Sequence, residues 1–185
     1  MSKQIKLIFS ILLIILLVGC NKCEDKLTNN PNYASTDVGT IKKSTEIEAE
    51  LPNFEITLLG NYLGNIKKDN LTGIKTYKVE TIISANNKYY DVTFEGIKVK
   101  DFIEKVKFND PNLDTIKFQG DQSVSKTYDF YKIDESFYFI YKMNDKPITV
   151  DGDTNKLTMI NLREDSVNWI YGLSQITVKD LQAKK

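Results

Sequence analysis

Few residues in this chain can do chemistry, and they are unevenly distributed. The two thiols, Cys20 and Cys23, lie near the N-terminus, histidine is absent, and Arg163 is the single arginine. The lack of histidine excludes Ser-His-Asp and Cys-His catalysis and histidine-ligated metal sites. Because no cysteine follows Cys23, any domain beyond it also lacks thiolate nucleophiles and thiolate metal ligands. Catalysis would have to use carboxylate, lysine, tyrosine, serine or threonine side chains.

The N-terminus has the composition of a targeting segment. Lys3 and Lys6 precede an apolar run from Leu7 to Val18 that only Ser10 interrupts. This order of a basic region and a short apolar region is typical of a secretory signal. A helix over the apolar run would rise about 20 Å, which is too short for about 30 Å of hydrocarbon. Residues 1–19 are therefore predicted to be a signal peptide.

The sequence Leu17-Val18-Gly19-Cys20 resembles a bacterial lipobox. The resemblance implies that the Cys20 thiol carries a diacylglyceryl group and that Cys20 becomes the first residue of the mature protein. Two acyl chains, at about 0.8 kcal/mol per buried methylene, anchor a protein stably. We therefore expect a lipid-anchored protein at the extracytoplasmic face of the cell membrane. The alternative is an ordinary cysteine at the end of a signal peptide or an uncleaved anchor.

The charge balance limits the classes of partner. The chain has 25 basic and 25 acidic side chains, so it has no positive excess for nucleic acid or an anionic bilayer. Nucleic acid is excluded as a partner on this ground. The remaining partners are the membrane, through the N-terminal lipid, and an unidentified protein or small-molecule ligand.

Composition divides the mature chain into a tether and one domain. Residues 20–50 are polar and show no sustained period, which predicts a flexible tether that reaches about 30 Å. Residues 51–180 are predicted to form the folded domain. The segment Asp151–Asn155 alternates oxygen-bearing side chains as a calcium loop does. Lys156 and Leu162 replace the glycine and glutamate that such a loop needs, which favours a solvated turn. Arg163, Glu164 and Asp165 are interpreted as a charged loop.

Alternating apolar residues predict a domain rich in strands. An apolar spacing of i, i+3, i+4, i+7 predicts one amphipathic helix from Val99 to Val106, after Gly96 breaks the preceding strand. Turns are predicted at residues 85–88 and 144–147. The pattern indicates an α+β fold with mixed, β-rich sheets. The predicted strands are Phe54–Leu58, Thr76–Ile83, Tyr89–Phe94, Thr115–Gln119, Ser125–Phe130, Phe137–Tyr141 (buried on both faces), Leu157–Leu162 and Ile170–Val178.

Three segments resemble, in order, those of molybdopterin-binding domains of the sulfite oxidase type. They are residues 94–103 (FEGIKVKDFI), 140–148 (IYKMNDKPI) and 169–178 (WIYGLSQITV). The resemblance extends over residues 51–178 and implies a sulfite-oxidase-like fold with a cleft for a pterin cofactor.

The resemblance also implies that the cofactor site is degenerate. Ser84 lies where catalytic members have the cysteine that binds molybdenum, and Thr158 lies where they have an arginine. A protonated serine hydroxyl is a poor replacement for a soft thiolate. We therefore expect a degenerate cleft near Ser84, Thr158 and Trp169, no bound cofactor, no catalytic residue and a non-catalytic binding role. One alternative is a molybdopterin-dependent oxidoreductase or its accessory subunit, and another is a purely structural envelope protein.

Overall fold

The computed structural model describes residues 33–108, 113–121 and 124–180. Within these ranges the chain forms eleven strands and one α-helix, α1 (Val99–Lys105). None of the helices in the described part is long and apolar enough to cross a membrane. The strands are β1 (Ile41–Ile47), β2 (Glu55–Gly60), β3 (Gly64–Lys67), β4 (Thr76–Ala85), β5 (Lys88–Lys98), β6 (Leu113–Gly120), β7 (Ser125–Asp129), β8 (Phe137–Met143), β9 (Lys146–Pro147), β10 (Thr158–Asn161) and β11 (Leu173–Asp180).

The strands form two sheets. Sheet A has the order β1-β4-β5-β8-β10, with β9 paired to β8, and all of its pairs are antiparallel. Sheet B has the order β3-β2-β11-β6-β7 and is mixed, because β2 and β11 run parallel. The β-rich α+β class predicted from the sequence is therefore confirmed.

The main core contains buried side chains of both sheets and of α1. Ile56, Phe118 and Ile176 from sheet B pack in this cluster with Phe102 of α1 and Phe139 of sheet A. This burial explains the helix, because Val99 and Phe102 fall on one face and are fully buried.

A second core covers the opposite face of sheet A. It contains Ile83, Phe94, Tyr138, Ile160 and Trp169, among others. All of the residues 137–141 of β8 are buried, alternately in the main core and in the second core. The prediction that this strand is buried on both faces is confirmed.

Two turns have the backbone that their sequences predict. Asn86 and Asn87 join β4 to β5 with φ angles of 51° and 59°, and Asn144 and Asp145 follow β8 with φ angles of 50° and 61°. Asparagine and aspartate tolerate this left-handed region, which two-residue hairpin turns require.

The interpretation of residues 20–50 as a tether is wrong for residues 41–47. These residues form β1, which pairs antiparallel with β4 at the edge of sheet A. Their side chains are almost all exposed, so the strand has no apolar alternation by which to recognise it. Residues 1–32, including the predicted signal peptide, Cys20 and Cys23, lie outside the described residues.

Gly96 does not end its strand, contrary to the prediction. β5 continues to Lys98, and the register with β8 shifts between Glu95 and Gly96. A Cβ atom at Gly96 would lie 2.6 Å from the backbone oxygen of Phe139. The glycine is therefore needed for close approach of two strands at a β-bulge.

Candidate functional site

Two of the three predicted site residues lie on strands of sheet A, and the third lies in the segment that follows β10. Ser84 is near the end of β4 and is half-buried, whereas Thr158 begins β10 and is fully buried. Trp169 follows a 3-10 turn at Ser166–Asn168 and is 4% exposed. It packs in the second core with Ile83, the neighbour of Ser84. Of the three residues, only Ser84 is therefore partly exposed to solvent.

The segment that leads to Trp169 is a polar strap, residues 163–168. None of its side chains is buried, but Leu162 before it and Trp169 after it are almost completely buried. Beyond the strap, Ile170 pairs with Met159 of β10 through two backbone hydrogen bonds of 2.9 Å. The strap is thus a short, mainly polar segment between two buried apolar residues, Leu162 and Trp169.

Asp165 attaches the strap to sheet A. Its carboxylate accepts a hydrogen bond of 2.6 Å from the Ser84 hydroxyl and one of 3.1 Å from the Val167 N–H. The backbone N–H groups of Asn86 and Asn87, in the β4–β5 turn, also hydrogen-bond to it. The Ser84 hydrogen bond is the largest cause that lowers the pKa of Asp165, and the backbone donors lower it further.

Glu164 attaches the strap to sheet B. Its carboxylate contacts Lys126 Nζ and accepts a hydrogen bond of 3.2 Å from the Tyr128 hydroxyl, both on β7. Asn161 of β10 donates a further hydrogen bond of 3.1 Å. Burial raises the pKa of Tyr128, and the Glu164 charge raises it further, which favours the protonated phenol that donates this hydrogen bond.

Arg163 provides the third attachment. Its guanidinium lies 2.8 Å from the Asp134 carboxylate, which also accepts hydrogen bonds from the backbone N–H and the hydroxyl of Ser136. In the predicted charged loop Arg163-Glu164-Asp165, each charged side chain has a defined partner in another segment of the chain.

The residues present do not fit the molybdopterin group that the resemblance implies. The Ser84 hydroxyl, in the position assigned to the thiolate, already donates to Asp165. The Asp165 carboxylate would repel an anionic dithiolene or phosphate. Thr158 provides no positive charge and is 0% exposed. We therefore derive no chemistry through this group.

Three buried polar atoms in and beside the second core have no hydrogen-bond partner in the described part of the chain. They are the Tyr138 hydroxyl, the Thr158 hydroxyl and the Trp169 indole nitrogen. Burial, followed by the charges of Glu135 and Asp101, raises the pKa of Tyr138 to about 12. Unpartnered buried polar groups cost stability, and the Tyr141 hydroxyl in the main core is a further one, so such groups lie on both faces of sheet A.

A surface groove of about 530 Å³ lies elsewhere, between the end of β1 and the start of β4. Among its lining charges, Glu46 lies 3.1 Å from Lys75 and Glu50 contacts Lys68. None of the predicted site residues lines this groove.

The segment Asp151–Asn155 forms a tight turn. Val150 and Asp153 pair across it, and the Asn155 N–H donates a hydrogen bond of 2.7 Å to the Asp153 carboxylate. In the described ranges no three acidic, histidine or cysteine side chains are grouped as a metal site requires.

Comparison with solved structures shows a distant relationship of fold. The chain is similar to the sulfane dehydrogenase SoxCD from Paracoccus pantotrophus, with a TM-score of 0.55 and 7% sequence identity. The similarity covers 89% of this chain and 53% of that chain, so this protein spans about half the length of its structural neighbour. At this identity the similarity shows the fold alone. No family model and no curated protein matches the sequence.

Proposed function

We propose that this protein is an exported lipoprotein, anchored through Cys20, whose sulfite-oxidase-like domain is a non-catalytic binding module at the extracytoplasmic face of the cell membrane. The basic and apolar N-terminus, followed by Cys20, supports the anchoring. The fold similarity to a sulfane dehydrogenase supports the choice of scaffold.

One observation carries the non-catalytic part of the proposal. The hydroxyl of Ser84 is held by Asp165 at 2.6 Å, and Thr158 and Trp169 are buried and carry no charge that could hold a phosphate. A site adapted to molybdopterin would instead present a free ligand atom and a cation for the phosphate. The binding partner is a protein or a small molecule rather than a nucleic acid, because the chain has no positive excess to hold a polyanion.

The cofactor content of the protein tests this proposal. The full chain is extracted from membranes in detergent, and its molybdenum is measured by mass spectrometry and its pterin by fluorescence after oxidation. We expect neither in stoichiometric amount. The variant Ser84→Cys, purified in parallel, tests whether a thiol at this position is sufficient for loading, and we expect that it is not. A molybdenum enzyme made in the same cells controls for cofactor supply, and stoichiometric molybdenum in the unaltered chain would overturn the proposal.

A second candidate function is an accessory subunit of a molybdopterin-dependent oxidoreductase. The fold similarity to a dehydrogenase favours it. It predicts that gentle extraction with the lipid anchor intact recovers the chain together with a molybdenum-containing protein. Recovery of the chain without molybdenum in any associated fraction would favour the binding module.

A further inference from the structure

The strap joins the two sheets through consecutive residues. Asp165 binds Ser84 of sheet A, and Glu164 binds Lys126 and Tyr128 of sheet B. Because these attachments consist of hydrogen bonds and ion pairs, no buried apolar side chain of the strap itself opposes its release. Segments held by few buried apolar contacts open at lower free energy than the core of the same protein.

The strap lies next to one end of the second core, so its release would change the surroundings of that end. The 3-10 turn Ser166–Asn168 contacts β4, next to the end of the second core that contains Ile83 and Trp169. Directly after the strap, Trp169 packs among the mainly apolar side chains of the second core, and its indole nitrogen has no partner among the described residues. Val167 is 77% exposed at the tip of the turn.

We propose that the strap is a gate that opens as a local unit and admits an uncharged, mainly apolar ligand to the Trp169 end of the second core. This inference rests on the proposed binding function, since the gate would control access to the site of that module. The indole N–H of Trp169 and the hydroxyl of Thr158 are the unpartnered groups that a hydrogen-bond acceptor on the ligand would satisfy.

The gate is tested with substitutions outside the strap, which leave the intrinsic exchange rates of its amides unchanged. Ser84→Ala removes one hydrogen bond to Asp165, and Tyr128→Phe removes one to Glu164. Tyr77→Phe is the matched control, because it removes a tyrosine–carboxylate hydrogen bond of 2.9 Å, to Asp101, away from the strap.

Hydrogen exchange of the full chain measures the opening. Each of the two variants is expected to raise the opening equilibrium of the strap about tenfold, and the double variant about a hundredfold. Peptides that cover residues 163–169 should therefore exchange faster. Peptides from β8 should keep their place in the order of exchange rates among the peptides of the protein. Tyr77→Phe should leave the exchange of the strap as it is.

Two optical measurements make the result independent of exchange chemistry. Trp169 is the only tryptophan, so acrylamide quenching reports its accessibility directly. In the double variant, quenching and binding of the uncharged apolar probe Nile red should increase while far-UV circular dichroism stays the same. Strap opening that occurs only with unfolding of β8, or unchanged quenching in the double variant, would overturn the gate. Molybdenum content does not enter this test, so the gate and the non-catalytic role can fail separately.

Discussion

Replacement of Ser84 by alanine tests how the strap is attached to sheet A. The substitution removes a hydrogen bond of 2.6 Å to the Asp165 carboxylate and leaves the second core intact. A hydrogen bond to a charged group contributes about 1.5–3 kcal/mol to the free energy of unfolding. Because Ser84 and Asp165 are both partly exposed, solvent weakens their hydrogen bond, and we expect a contribution at the lower end of this range. We expect a loss of about 1.5 kcal/mol at pH 7, which corresponds to a decrease in Tm of about 3–6 °C for a chain of this length.

The loss should depend on pH, because Asp165 must be ionised to accept the bond as a carboxylate. Its folded-state pKa is lowered by Ser84 and by backbone donors, whereas the unfolded value is about 3.9. The ionised group therefore contributes stability that is present above about pH 4 and is lost as the pH falls through the lowered folded-state pKa. The difference between the unaltered protein and Ser84→Ala should be full at pH 7 and should shrink as the pH approaches 3.

Urea unfolding followed by far-UV circular dichroism at both pH values provides the assay. Asp165→Asn and the double variant complete a thermodynamic cycle, in which we expect a coupling of about 1 kcal/mol at pH 7. Ser125→Ala, at an exposed position of β7, controls for a general effect of losing a serine. An equal loss at pH 7 and pH 3, or additive effects in the cycle, would refute the assignment of Asp165 as the attachment.

Three further predictions concern the core, the bulge and the anchor. Thr158→Val should stabilise the protein by about 1 kcal/mol in urea unfolding, since its buried hydroxyl has no described partner; Thr81→Val, which removes a hydrogen bond to Thr40 O of 2.9 Å, should destabilise it by a similar amount. Gly96→Ala should cost about 2–3 kcal/mol in the same assay because its Cβ would collide with the Phe139 oxygen, and a cost below 0.5 kcal/mol would contradict the bulge. Cys20→Ser should abolish labelling with radioactive palmitate and release the chain from the membrane fraction, whereas Cys23→Ser should do neither.

The sequence predicts those elements whose side chains alternate between core and solvent. The predicted strand Thr76–Ile83 and the helix that begins at Val99 are found within a few residues of their observed bounds, because burial of one face imposes a period. β1 could not be predicted in this way, since an edge strand can satisfy its backbone hydrogen bonds while almost all of its side chains remain exposed. Gly96 is misread for a related reason: a glycine that ends a strand and one that allows close packing are identical in sequence.

The candidate site could be predicted only in part. The resemblance singles out Ser84 and Trp169, and the structure places Ser84 against Asp165 of the strap and Trp169 directly after the strap. It does not predict Asp165 or Glu164, whose partners Ser84 and Lys126 are 81 and 38 residues away in sequence. Spacing rules describe neighbours along one element, whereas these attachments depend on how the two sheets are placed relative to each other.

The position of β11 has a consequence for the folding of sheet B. This strand pairs on one side with β2 and on the other with β6, so it occupies the middle of the sheet. Until β11 is in place, β2 and β6 have no shared partner, and a chain shortened before residue 173 would expose two open strand edges. Sheet B therefore closes only after segments that are far apart in sequence have come together, and such non-local pairing is slow compared with the formation of a local hairpin.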